Sequence, residues 1–93
     1  MELNIKDKVA IITGGSRGIG KACAIELAKE GVKICIASQN PRNLKEASKE
    51  ISAITSNIIY VAADLSTEQG CQSVINATIE KFQNIDILIN NVG

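Results

Sequence analysis

Between Thr13 and Gly20 the chain reads Thr-Gly-Gly-Ser-Arg-Gly-Ile-Gly, and four of its seven glycines fall there. An unbroken apolar run, Val9-Ala10-Ile11-Ile12, comes just before. Just after, Ile19, Ala22, Cys23 and Leu27 recur at helical spacing. The glycines therefore join a buried strand to a helix. Glycine tolerates backbone angles that other residues resist, and it lets another group come close to the main chain. The first turn of a helix offers unpaired N–H groups and a partial positive charge. Strand, tight turn and helix start together make a seat for a phosphate or pyrophosphate. The spacing Gly14, Gly18, Gly20 is neither Gly-x-Gly-x-x-Gly nor the Gly-Lys-Ser/Thr ending of a P-loop. Taken alone, the same turn could also serve only to press a helix onto a sheet.

At 93 residues the chain makes one domain, 1–93, able to bury roughly 60–65% of its unfolded surface. Ten basic and ten acidic residues cancel, so charge points to no nucleic acid. Tyr60 and Phe82 are the only aromatic residues, too few for a base-stacking surface. No apolar run approaches the roughly 18 residues of a membrane span. The mixed charge of Met1 to Lys8 is too polar for a secretory signal. Cys23, Cys35 and Cys71 are odd in number and lie in apolar patterns, as expected of reduced core thiols in a cytoplasmic protein. The chain has no histidine, so it can hold neither a histidine metal site nor a Ser-His-Asp triad.

Strand and helix signals alternate along the chain. Strands are expected at Val9–Thr13, Val32–Ala37, Ile58–Ala63 and Ile85–Asn90, all short and apolar. Helices are expected at Gly18–Glu30, Pro41–Ile54 and from about Ser66 to Lys81. Gly31 stands where a helix-ending glycine belongs. Asn40 with Pro41 reads as a helix start, and Ser66 with Gln69 as a capping box. The second helix sets Leu44, Ala47, Ile51 and Ile54 on one face. The order β-α-β-α-β-α-β with short connections predicts an α/β fold, a doubly wound parallel sheet in three layers with strand order 3-2-1-4. Ligands of such sheets bind outside the carboxyl ends of the strands. Thr13 to Gly20, Ser38 and Gln39, Asp64, and Asn90-Asn91 all fall on that rim. The fourth strand would carry a bare apolar edge, suited to a further strand beside it.

These residues resemble the short-chain dehydrogenases/reductases, and the likeness covers the whole chain as that family's N-terminal half. Thr13, Gly14, Gly18 and Gly20 match Thr-Gly-x-x-x-Gly-x-Gly; Asp64 with Leu65 matches the Asp after the third strand; Asn90-Asn91-Val92-Gly93 matches Asn-Asn-Ala-Gly with Val for Ala. The pattern is most similar to members like 3-oxoacyl-carrier-protein reductases. The resemblance implies that Gly14, Gly15, Ser16, Arg17, Gly18, Ile19 and Gly20 surround the pyrophosphate and adenosine ribose of a nicotinamide dinucleotide. It implies that Asp64 accepts from the adenine amino group beside Leu65, that Asn91 and Gly93 line the cofactor, and that Asn90 helps to hold the sheet. On local grounds alone, Asp64 could instead favour the dipole of the next helix, and Asn90 and Asn91 could be turn residues.

An NAD-binding chain usually carries an acid about 20 residues past the glycines, for the ribose 2′-hydroxyl. Here that place reads Ser38-Gln39-Asn40, which does not repel a 2′-phosphate, and Arg17 is a nearby cation with a phosphate-matching fork. NADP is therefore the expected cofactor, with NAD as the alternative. The family's reaction moves hydride between that cofactor and a small carbonyl or alcohol substrate. It uses a Ser and a Tyr-x-x-x-Lys, found nowhere in these residues. The one tyrosine reads Tyr60-Val61-Ala62-Ala63-Asp64. The expectation is thus the cofactor-binding part of a longer reductase, homo-oligomeric in its full-length form. A stand-alone nucleotide-binding module or a structural relative is the alternative.

Overall fold

The structure, a computed structural model, describes residues 5–14 and 16–91. Its elements are β1 (Val9–Thr13), α1 (Gly18–Lys29), β2 (Lys33–Ser38), α2 (Pro41–Ser52), β3 (Ile58–Ala62), α3 (Glu68–Phe82) and β4 (Ile87–Asn90). The strands form one parallel sheet in the order β3-β2-β1-β4, the doubly wound arrangement expected of the alternating pattern.

The period-2 alternation of the strands decides the layers. Ala10, Ile12, Ile34 and Ile36 point to one face and bury against Ala24 and Ala28 of α1 and Leu44, Ala47 and Ile51 of α2. Ile11, Cys35 and Ala37 point to the other, where they meet Val74 of α3. Each fully buried Ile or Leu contributes roughly 1.5–3 kcal/mol, so the α1–α2 side holds most of the fold's stability. The α3 side is thinner. Leu88 is 67% exposed, and Ile75 and Ile79 are also exposed.

Element ends differ from the sequence expectation for local reasons. α1 stops at Lys29 because the chain closes on itself: Gly31 N–H bonds the Ala28 carbonyl and Val32 N–H the Leu27 carbonyl, the paired bonds of a Schellman ending. α2 stops at Ser52, which leaves Ile54 beyond the helix and exposed. β4 begins at Ile87, two residues late, because Asp86 closes the base of the sheet. Its carboxylate accepts the Val9 N–H at 2.9 Å and its own N–H bonds the Val9 carbonyl. The cysteines are not all core residues: Cys35 is buried, Cys23 half-buried and Cys71 exposed. Among the described residues, no helix is long and apolar enough to cross a membrane.

Candidate functional site

The register aligns Thr13 with Ala37 on one side and Asn90 on the other, so β1, β2 and β4 end on one rim. Hydrogen bonds then lock that rim. The Thr13 hydroxyl donates to Asn90 Oδ1 at 2.8 Å, and Asn91 N–H reaches Thr13 Oγ1 at 3.2 Å. Gly14 N–H bonds the Ala37 carbonyl at 2.8 Å, and Ala63 N–H the Ser38 carbonyl at 2.9 Å. Thr13 is therefore the tie between the first and fourth strand ends, a role that the sequence reading left with Asn90 alone.

The glycine turn is shaped by what lies against it. A Cβ at Gly14 would collide with the Asn91 carbonyl oxygen. One at Gly20 would collide with the Gly14 carbonyl oxygen and stand 2.9 Å from Asn91 Nδ2. Asn91 is thus wedged on the turn, and any side chain at either glycine would push the two strand ends apart. Gly18, like Gly14, has a positive φ, +57°, but among the described residues a Cβ there would meet nothing within 4 Å beyond its chain neighbours and its own helix.

The three helix starts are not alike. Asn40 caps α2 by accepting from Asn43 N–H at 3.1 Å, and Thr67 caps α3 by accepting from Gly70 N–H at 3.0 Å. Arg17 stands at the N-cap of α1 with no side-chain cap bond and no acid in the first turn. Among the described residues, no side chain caps the amides of its first turn.

The expected capping box at Ser66 is corrected here. Ser66 spends both its N–H (3.0 Å) and its hydroxyl (2.6 Å) on Asp64 Oδ1, and the cap passes to Thr67. The two Ser66 bonds, the hydroxyl's first, hold the Asp64 carboxyl below the usual carboxylate range. Both fall on one oxygen. Gly70, which reads in the sequence only as a weak point in a helix, lets α3 press on the Asp64 carbonyl, where a Cβ would collide. Its only signal in the sequence is a glycine in a helix's first turn.

A cleft of about 720 Å³ opens over the rim. Thr13, Gly14, Ser38, Gln39, Asp64, Leu65, Asn90 and Asn91 line it, with Val74, Ile75, Leu88 and Cys71 as an apolar wall. Seven of the expected site residues therefore converge: Gly14, Ser38, Gln39, Asp64, Leu65, Asn90 and Asn91. Ser16, Arg17 and Gly18 line a second groove of about 310 Å³ on the α2 side of the turn. Ile19 is 74% exposed beside them, and Gly20 is buried under Asn91. Gly15 and Gly93, also expected in the site, lie outside the described residues. Tyr60 sits on β3, away from the cleft. Among the described residues, no cluster could hold a metal ion.

Residues 8–93 match the model of the short chain dehydrogenase family. The chain belongs to that family. The chain is 35% identical over 91 residues to 11-beta-hydroxysteroid dehydrogenase A of Sesamum indicum, a match covering 97% of this chain and 26% of that protein. Among solved structures it is similar to L-sorbose reductase from Gluconobacter frateurii complexed with NADPH and L-sorbose, with a TM-score of 0.95 and 37% identity over 100% of this chain and 36% of that one. It is also similar to 3-ketoacyl-(acyl-carrier-protein) reductase from Brucella melitensis complexed with NADH, with a TM-score of 0.90 and 34% identity over 97% of this chain and 36% of that one. The chain thus spans well under half the length of the relatives it matches.

Proposed function

We propose that this chain is the cofactor-binding part of a short-chain oxidoreductase that moves hydride between a nicotinamide dinucleotide, NADP rather than NAD, and a small carbonyl or alcohol substrate. The observation that carries the reading is the uncapped first turn of α1 beside the open space at Gly18. Amides without a side-chain partner, a helix dipole and room for close approach suit a diphosphate. The NADPH and NADH complexes of similar proteins support a nicotinamide cofactor for the family.

The residues present fit such a group. Gly14, Ser16, Arg17, Gly18, Ile19 and Gly20 would hold the diphosphate and the adenosine ribose. Asp64 would receive the adenine amino group on the oxygen that Ser66 does not use, with Leu65 beside the ring. As an ionised carboxylate it is an acceptor through the neutral range. Asn91 would line the cofactor's other ribose, and Asn90, tied to Thr13, would keep the two strand ends in register. When bound, the dinucleotide supplies the hydride donor or acceptor. The proton-transfer residues of the reaction would come from sequence outside these 93 residues. Selectivity for NADP rests on Ser38-Gln39-Asn40, which offers donors and no acid, and on Arg17.

Titration of NADPH fluorescence with the chain tests this. Saturable binding is expected, and Asp64→Ala should weaken it roughly tenfold or more, the worth of a hydrogen bond to a charged group. No binding at millimolar cofactor would remove the reading.

A further inference from the structure

The groove on the α2 side of the turn joins two cations to two carboxylates. Arg17, Lys21, Glu46 and Glu50 line it, with Ser16 and Asn43 between them. Lys21 Nζ lies 3.0 Å from Glu50 Oε2, and both side chains are about one-third to one-half exposed, at 35% and 55%. Arg17, at the N-cap of α1, accepts the Lys21 N–H on its carbonyl at 3.2 Å, and both cations line the groove. Among the described residues, Arg17 has no ion-pair partner. Ser16 Oγ is 3.5 Å from Ser38 Oγ, so the groove opens toward the end of β2. There the proposed site puts the adenosine ribose.

We infer that Glu50 limits the preference for NADP over NAD by holding Lys21 in an ion pair that a ribose 2′-phosphate must compete with. The inference rests on the proposed dinucleotide site. A 2′-phosphate brought to Ser16 and Arg17 enters the reach of Lys21, a compact charge on a flexible stem. An exposed ion pair is weakly held, so a phosphate can draw Lys21 away from Glu50. The pair still opposes it in two ways: Lys21 is occupied, and Glu50 repels the incoming charge. A neutral 2′-hydroxyl feels neither effect. Glu50 is thus a selectivity residue that touches no cofactor.

Dissociation constants for NADPH and NADH, measured by fluorescence on the wild-type chain, Glu50→Gln, Lys21→Met and the double variant, test this. Glu50→Gln should tighten NADPH on the order of fivefold, the worth of a unit charge a few ångströms away in a water-like medium. NADH should change less than about twofold, and thermal unfolding should stay close to wild type, as for loss of a surface ion pair. The gain should be smaller in the Lys21→Met background, where Glu50→Gln relieves only the direct repulsion and frees no Lys21. An equal shift for both cofactors, no shift for NADPH, or a gain undiminished by Lys21→Met would overturn the inference. If the wild-type chain binds neither cofactor at millimolar concentration, the dinucleotide site itself fails and the inference falls with it. Binding of NADH together with an unmoved NADPH constant in Glu50→Gln would leave the site standing and sink the inference alone.

Discussion

At the scale of single residues, the rim is a set of short polar side chains whose work is divided between holding the strand ends and facing the cleft. Asp64 does both, since Ser66 occupies one of its oxygens. Because the folded-state pKa of Asp64 lies below its ordinary value, its bonds stabilise the fold above the ordinary range of about 3.9 and are lost as the pH falls through the lowered value. Ser66→Ala should return the Asp64 titration toward the ordinary range, measured by carboxyl NMR; an unchanged midpoint would mean that Ser66 is not the cause. Asp64, Asn90 and Asn91 were legible in the sequence because each follows a short apolar run in the alternation of strands and helices. The exchange between Ser66 and Thr67 was not. Both residues are good caps, and only the position of the Asp64 carboxylate decides which of them is spent. Thr13 was visible as part of a motif, but its tie to Asn90 links residues 77 apart in sequence, which no local pattern reveals.

At the scale of elements, two helices start on side-chain caps and one, among the described residues, without such a cap. Asn40→Ala and Thr67→Ala should each cost about 1 kcal/mol, read from urea midpoints at constant slope. Ser66→Ala should cost α3 far less, because Ser66 is not its cap; equal losses for Ser66→Ala and Thr67→Ala would contradict the assignment. The alternation of strands and helices, and with it the sheet order, could be read from hydrophobic periodicity alone, since short apolar runs and amphipathic faces alternate without ambiguity. Element ends could not, because they are set by tertiary bonds such as those between Asp86 and Val9. In α3, Cys71, Val74, Ile75, Thr78 and Phe82 recur at helical spacing, yet only Val74, Thr78 and Phe82 are buried, whereas Cys71 and Ile75 are exposed.

At the scale of the whole molecule, the two sides of the sheet are unequal. α1 and α2 seal one face, while α3 leaves Leu88 and its neighbours open beside β4, whose outer edge has no partner strand among the described residues. An unpaired edge beside exposed apolar side chains favours association. Leu88→Lys should therefore raise the concentration at which the chain stays monomeric in sedimentation, without lowering its unfolding midpoint by more than about 0.5 kcal/mol, as for a surface substitution. The apolar edge was apparent from the sequence as a run of Ile and Leu; which of them face solvent required the register. The central claim is that the strand-end rim around the glycine turn takes a nicotinamide dinucleotide, and amide NMR of the isotope-labelled chain during an NADPH titration tests it most directly. Saturable shifts should concentrate at residues 14–20, 38–39, 64–65 and 91, with little change at residues 53–57 at the opposite end of the sheet. Shifts centred anywhere other than that rim, or none at saturating cofactor, would contradict it.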